Sequence, residues 1–144
     1  IRRVERNLLE GELPRGARVL PLYGELAPDA QDEALRPSPP GARKVVLATS
    51  IAETSLTIEG VRIVVDSGLS RRSRFDPSSG MSRLETLRAS VASTEQRRGR
   101  AGRLEPGVCY RAWTEEQQRQ LLPATPPEIL EADLAPLALD LACW

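Results

Sequence analysis

The eight residues Gln96-Arg97-Arg98-Gly99-Arg100-Ala101-Gly102-Arg103 hold the densest chemistry in the chain. Five polar or cationic side chains are threaded between two glycines and an alanine, so guanidinium groups can crowd one small surface with no bulky neighbour between them. Such a surface suits a polyphosphate. The planar fork of arginine keeps its charge at any physiological pH and matches phosphate oxygens two at a time, which a flexible, strongly hydrated lysine does less well. A solvated basic helix would carry the same charge, yet it has no need of the two glycines.

A second cluster is built from small hydroxyls. Thr49, Ser50, Thr54 and Ser55 can donate to phosphate oxygens without blocking the approach of a backbone, which fits a grip on a single strand that does not read its bases. Helix capping and turn formation are the structural alternative for the same residues.

The elements that must position these groups alternate along the chain. Residues 1–10 read as the end of a helix, with Val4 and Leu8 one turn apart and Gly11 placed for a left-handed cap. Arg18 to Leu22 reads as a buried strand. Pro28 opens a helix through Leu35, which the breaker cluster Pro37-Ser38-Pro39-Pro40-Gly41 ends. Lys44 to Ala48 is a second strand, and Val61 to Val65 a third whose apolar run suits a sheet covered on both faces. Strands separated by helical segments predict an α/β fold with a parallel sheet flanked by helices. Leu69 to Phe75 and Met81 to Ala89, joined by Asp76-Pro77-Ser78-Ser79-Gly80, predict a protruding β-hairpin. Ser93 and Gln96 have the spacing of a capping box at the start of the arginine-bearing helix. Gly107 to Trp113 reads as another strand, followed by the capping box Thr114-Glu115-Glu116-Gln117. Beyond the prolines at 123, 126 and 127, Leu130, Leu134, Leu137, Ala138 and Leu141 form an apolar stripe that suits a core or an interface.

Composition narrows the partners. The net charge is zero, but residues 61–111 hold eleven arginines against five acidic residues, whereas residues 112–144 hold one arginine against six acids. The middle third is therefore the side for an anionic ligand. Lys44 is the only lysine beside nineteen arginines, which lowers the weight of any single arginine. The 144 residues suit one domain with a core of its own. No apolar run approaches the ~20 residues that span a bilayer, so no membrane partner is expected. Histidine is absent, and Cys109 and Cys143 lack any metal-ligand spacing, so buried free thiols in a reducing cytoplasm are expected.

The motif Gln96 to Arg103 resembles motif VI of superfamily 2 helicases, and its Arg-Ala-Gly-Arg ending is similar to the DEAH-box branch. The run Leu47-Ala48-Thr49-Ser50-Ile51-Ala52-Glu53-Thr54-Ser55-Leu56-Thr57-Ile58-Glu59-Gly60 resembles motif V of that branch, in which asparagine usually stands where Ser50 does. Val65-Asp66-Ser67-Gly68 followed by Arg74-Phe75-Asp76 resembles the bacterial HrpB-type enzymes. The resemblance implies a second RecA-like helicase lobe over residues 1–122, truncated at its N-terminus, with residues 123–144 beginning a linker and winged-helix region.

It further implies ATP with Mg²⁺ as cofactor, held mainly by an absent first lobe. Arg100 and Arg103 match arginine fingers, Gln96 a γ-phosphate or water contact, and Thr57 and Glu59 the ribose side of the nucleotide. Tyr23, Gly24, Thr49, Ser50 and Thr54 match contacts to single-stranded RNA, with DNA as an alternative, and Arg71, Arg72 and Arg74 would sit on a strand-separating hairpin. An ordinary charged edge hairpin is the alternative for the last three. A 3′ to 5′ direction and the RNA preference come from the family alone. The phosphate loop G-x-x-x-x-G-K-[ST] and an acidic metal box are missing here; Asp32-Glu33-Ala34-Leu35 imitates the box in letters but follows Pro28 in a helix. Isolated, the chain is expected not to hydrolyse ATP. A passive nucleic-acid-binding module and a helicase-like scaffold without hydrolysis are the other function classes.

Overall fold

A computed structural model describes residues 1–53, 58–103 and 105–144 of the chain. Helix α1 (Arg2–Glu10) leads to β1 (Ala17–Leu22), α2 (Pro28–Leu35) and β2 (Arg43–Ala48). There follow β3 (Ile63–Asp66), the hairpin β4 (Leu69–Asp76) and β5 (Met81–Arg88), then α3 (Val91–Arg98), β6 (Val108–Arg111), α4 (Glu115–Arg119) and α5 (Ala135–Ala142). β1 pairs in parallel with β2 from Ala17↔Arg43 to Leu22↔Ala48, and β3 in parallel with β6 from Ile63↔Val108 to Asp66↔Arg111. β4 and β5 pair antiparallel.

Local chemistry explains most boundaries. Pro28 occupies the first turn of α2, where its missing N–H costs nothing. Lys44 closes the other end of that helix: its ammonium donates to the carbonyls of Ala34 (2.8 Å) and Arg36 (2.5 Å), orphan acceptors that a cation satisfies well. Glu33 pairs with Arg18 of β1, so the acidic run at 32–33 stitches helix to strand. At α4 the capping box is complete, Gln117 N–H donating to the Thr114 hydroxyl (3.2 Å) and Thr114 N–H to the Gln117 side chain (3.1 Å).

Burial of the two thiols is not found, Cys143 being exposed and Cys109 half-buried. Three further expectations are corrected. Gly11 ends α1 in an extended conformation (φ −88°, ψ 173°), with its N–H bonded to the Asn7 carbonyl, so no left-handed cap forms. The apolar run of β3 is not covered on both faces, because Ile63 and Val65 with Val108 and Tyr110 of β6 are all exposed. The third correction concerns the start of α3. Ser90, not Ser93, is the cap: the Ser93 N–H donates to the Ser90 hydroxyl at 3.2 Å. The helix begins one serine earlier than the Ser93/Gln96 spacing suggested, and Gln96 is thereby released from any capping role.

The hairpin forms where it was expected. Its turn is closed by Asp76, whose carboxylate accepts from the Ser78 N–H (3.0 Å) and from the Ser78 (2.7 Å) and Ser79 (2.9 Å) hydroxyls. Those bonds, the Ser78 hydroxyl foremost, hold its carboxyl below the usual carboxylate range. At the root, Gly68 has φ +67°, and a methyl on its Cα would lie 2.7 Å from Cε3 of Trp113. Gly68→Ala therefore combines a left-handed backbone with an overlap against an indole ring. Denaturant titration should show a loss of about 3 kcal/mol; a loss below about 0.5 kcal/mol would mean that the ring gives way.

Candidate nucleotide and nucleic-acid site

α3 runs directly into a 3-10 turn over Gly99–Gly102. In such a turn residues three apart eclipse one another, so Arg100 and Arg103 emerge on one side. Gln96 stands four residues before Arg100 on α3 and belongs to the same face. These three residues, with Glu53 and Gly99, line a surface cleft of about 380 Å³. Both arginines also line a second cleft of about 360 Å³, shared with Ile58, Gly60, Val61, Arg62 and Glu105. Gln96 and Arg103 are exposed and Arg100 is half-buried.

The Arg100 Nη2 donates to the Glu53 carbonyl at 2.6 Å. Partial burial lowers the pKa of Arg100, and the charge of Arg103 lowers it further. Two like charges thus line one cleft.

Beneath that surface Arg97 is committed to the fold. Its Nε and Nη2 donate to Glu53 Oε1 (2.9 and 2.7 Å), and its Nη1 to Asp66 Oδ1 (2.7 Å) and the Leu69 carbonyl (3.1 Å). Burial opposes its charge, but the bonds to Asp66 and Glu53 prevail and its pKa is raised. Arg98 pairs with Glu95 on the exposed side of α3, and Glu95 also accepts from Arg111. Glu53 and Asp66 were not singled out from sequence. Asp66 offered a signal, a carboxylate closing the apolar run Ile63-Val64-Val65.

Tyr23, Gly24, Thr49 and Ser50 come together. They follow the carboxyl ends of the paired strands β1 and β2, and the Thr49 N–H donates to the Leu22 carbonyl (3.1 Å), extending the ladder to the threonine. Gly24, Thr49 and Ser50 are exposed and Tyr23 is half-buried. Ligands of open parallel sheets bind at these strand ends. Thr54 and Thr57 lie outside the described residues. Glu59 is exposed before β3 and lines neither cleft, although its neighbours Ile58 and Gly60 do.

The three hairpin arginines do not form one patch. Arg71 lies on one face of β4 and is exposed, whereas Arg72 and Arg74 lie on the other. Arg72 is held by Glu131 at 3.1 Å, each side chain 22% exposed, and the Phe75 N–H donates to the Glu131 carbonyl. Arg74 makes a looser exposed pair with Glu85 at 3.8 Å. Residues 122–131 run along the lobe, since Val91 N–H donates to the Leu122 carbonyl (2.8 Å) and Ala92 N–H to that of Pro123 (3.1 Å).

Comparison with known proteins decides the family. Residues 1–105 match the model described as the helicase conserved C-terminal domain. The chain belongs to this family. As a helicase C-terminal domain it is 49% identical, over all of its 144 residues, to "ATP-dependent RNA helicase HrpB" of Escherichia coli (strain K12), of which it covers 18%. It is also 46% identical over 91% of its length to "Pre-mRNA-splicing factor ATP-dependent RNA helicase prp22" of Schizosaccharomyces pombe, covering 11% of that protein. Two solved structures superpose on 97% of this helicase domain at 48% identity: the E. coli DExH-box NTPase HrpB (TM-score 0.89, 17% of that chain) and the E. coli DEAH/RHA helicase HrpB (TM-score 0.91, 18%). The HrpB-type resemblance and the RecA-like α/β fold are therefore shown, and the chain spans less than a fifth of the length of these relatives.

Proposed function

We propose that this domain is the second motor lobe of an ATP-dependent RNA helicase. Its Arg100 and Arg103 reach ATP bound on another lobe, while Tyr23, Gly24, Thr49 and Ser50 grip a single-stranded RNA backbone. The observation that carries the proposal is the pair of like-charged guanidinium groups held with Gln96 over one open cleft. Two bidentate forks and an amide fit the oxygens of a triphosphate. Mg²⁺ would be held mainly by the facing lobe and would supply charge neutralisation between the phosphates. In this lobe Arg100 and Arg103 stabilise the charge that develops as the γ-phosphoryl departs, and Gln96 orients the attacking water or a γ-oxygen.

Thr57 and Glu59 would face the ribose, and Thr54 would join the RNA grip. Arg71 and Arg74 remain available on the hairpin for phosphates, whereas Arg72 serves chiefly to tie the hairpin to Glu131. Residues 1–122 would form the lobe, with residues 123–144 leading into a winged-helix region of the same polypeptide and 123–131 strapped against the hairpin and α3. No helix among the described residues is long and apolar enough to cross a membrane.

The full-length protein should hydrolyse ATP faster when single-stranded RNA is added, and bind that RNA less tightly as salt rises. Arg71→Ala or Arg74→Ala should each reduce the slope of log affinity against log salt by about 0.7, one phosphate contact on a single strand. Arg72→Ala should leave it unchanged. Binding without stimulated hydrolysis would instead indicate a passive module, and neither activity a scaffold.

A further inference from the structure

Arg97 reaches further than a local ion pair. Its side chain is 16% exposed, and its partners Glu53 and Asp66 are 13% and 1% exposed, so the bonds among them form in a medium of low dielectric. One edge of the guanidinium holds the Glu53 carboxylate, just after the 3-10 turn Ser50–Ala52 that follows β2. The other edge holds Asp66 at the end of β3 and the carbonyl of Leu69, the first residue of the hairpin. A guanidinium is a rigid plane, so the two edges keep a fixed separation.

Glu53 is shared. Its carboxylate serves Arg97, and its main-chain carbonyl accepts from Arg100. The Ser93 hydroxyl donates to the second carboxylate oxygen at 2.5 Å, which keeps Glu53 from swinging away. A continuous path thus runs from Arg100 through Glu53 and Arg97 to Leu69. On this path Arg100 and the fork at the root of the hairpin share Glu53.

We propose that Arg97 is a positioning residue that transmits the movement of Arg100 to the root of the β4–β5 hairpin, coupling nucleotide turnover to strand separation. The proposal rests on the motor reading given above. The assay measures RNA-stimulated ATP hydrolysis and unwinding of a partly duplex RNA by the full-length enzyme, in wild type and Arg97→Lys. A lysine keeps the charge, but its three donors sit on one nitrogen, which cannot span both edges of the former fork.

The expected result is hydrolysis within about threefold of wild type, while base pairs separated per ATP fall about tenfold, a typical strength for energetic coupling between two sites. Asp66→Asn weakens only the hairpin edge and should lower the same ratio in the same direction; it carries the test should Arg97→Lys fail to fold. A parallel fall of hydrolysis and unwinding, as a general structural lesion gives, would overturn the proposal, and so would an unchanged ratio. A wild-type enzyme whose hydrolysis ignores RNA would overturn the motor reading instead.

Discussion

Replacing Arg103 by alanine in the proposed full-length motor should lower the turnover of ATP by on the order of 10³ to 10⁵ while leaving the fold intact. Arg103 is exposed at the end of the Gly99–Gly102 turn, so its truncation removes charge from a surface cleft and not packing from the core. Arg100→Ala should reduce turnover as severely, and loss of its bond to the Glu53 carbonyl should cost about 1 kcal/mol of stability. Arg103→Lys tests the geometry: the charge stays and the fork is lost, so most of the rate should remain missing. Single-turnover phosphate release at saturating ATP separates this loss from weaker binding. Turnover within about tenfold of wild type for both alanine variants would remove these residues from the chemical step.

Much of this arrangement was legible in the sequence because the signals were local. Pro28, the Thr114/Gln117 pair and the Asp76–Gly80 turn fix their elements through contacts within a few residues, and each forms where sequence placed it. The start of α3 was misread because two serines three residues apart each satisfy a capping pattern. The choice is made by the buried hydroxyl of Ser93, which serves Glu53 forty residues away. The Arg97 network escaped for the same reason, since its members lie in motif V, at the end of β3, at the hairpin root and on α3. Only folding brings them together.

The hairpin shows the converse limit. Sequence gave three arginines on one strand, but the two-residue period of β4 separates Arg71 from Arg72 and Arg74, and Glu131 then claims Arg72. Charge counted along a strand overstates what one face presents. The apolar face of Ile63, Val65, Val108 and Tyr110 teaches the same lesson about burial, because an apolar run specifies a surface that prefers cover and not the cover itself.

Glycine near the arginines has two distinct purposes, and substitution should separate them. A methyl on Gly107 would lie 1.5 Å from the carbonyl oxygen of Ala101, 2.4 Å from its carbon and 2.8 Å from the Arg62 oxygen, all of them main-chain atoms. Ala101 is buried at the centre of the turn that carries Arg100, and Arg62 O accepts from the Val108 N–H where β6 begins. No side chain can rotate to relieve that contact. Gly107→Ala must either push the arginine turn outwards or break the first rung of β3–β6, and a loss of about 3 kcal/mol or more is expected in denaturation. Where the enzyme still folds, a displacement of the arginines by about 1 Å should cost about 10² in turnover. At Gly99, which lines the cleft, the same methyl meets none of the described atoms. Gly99→Ala should keep stability within about 0.5 kcal/mol, and any loss should appear in nucleotide affinity, because the methyl enters the cleft proposed for the nucleotide. Equal destabilisation by the two substitutions would show that both glycines serve packing alone.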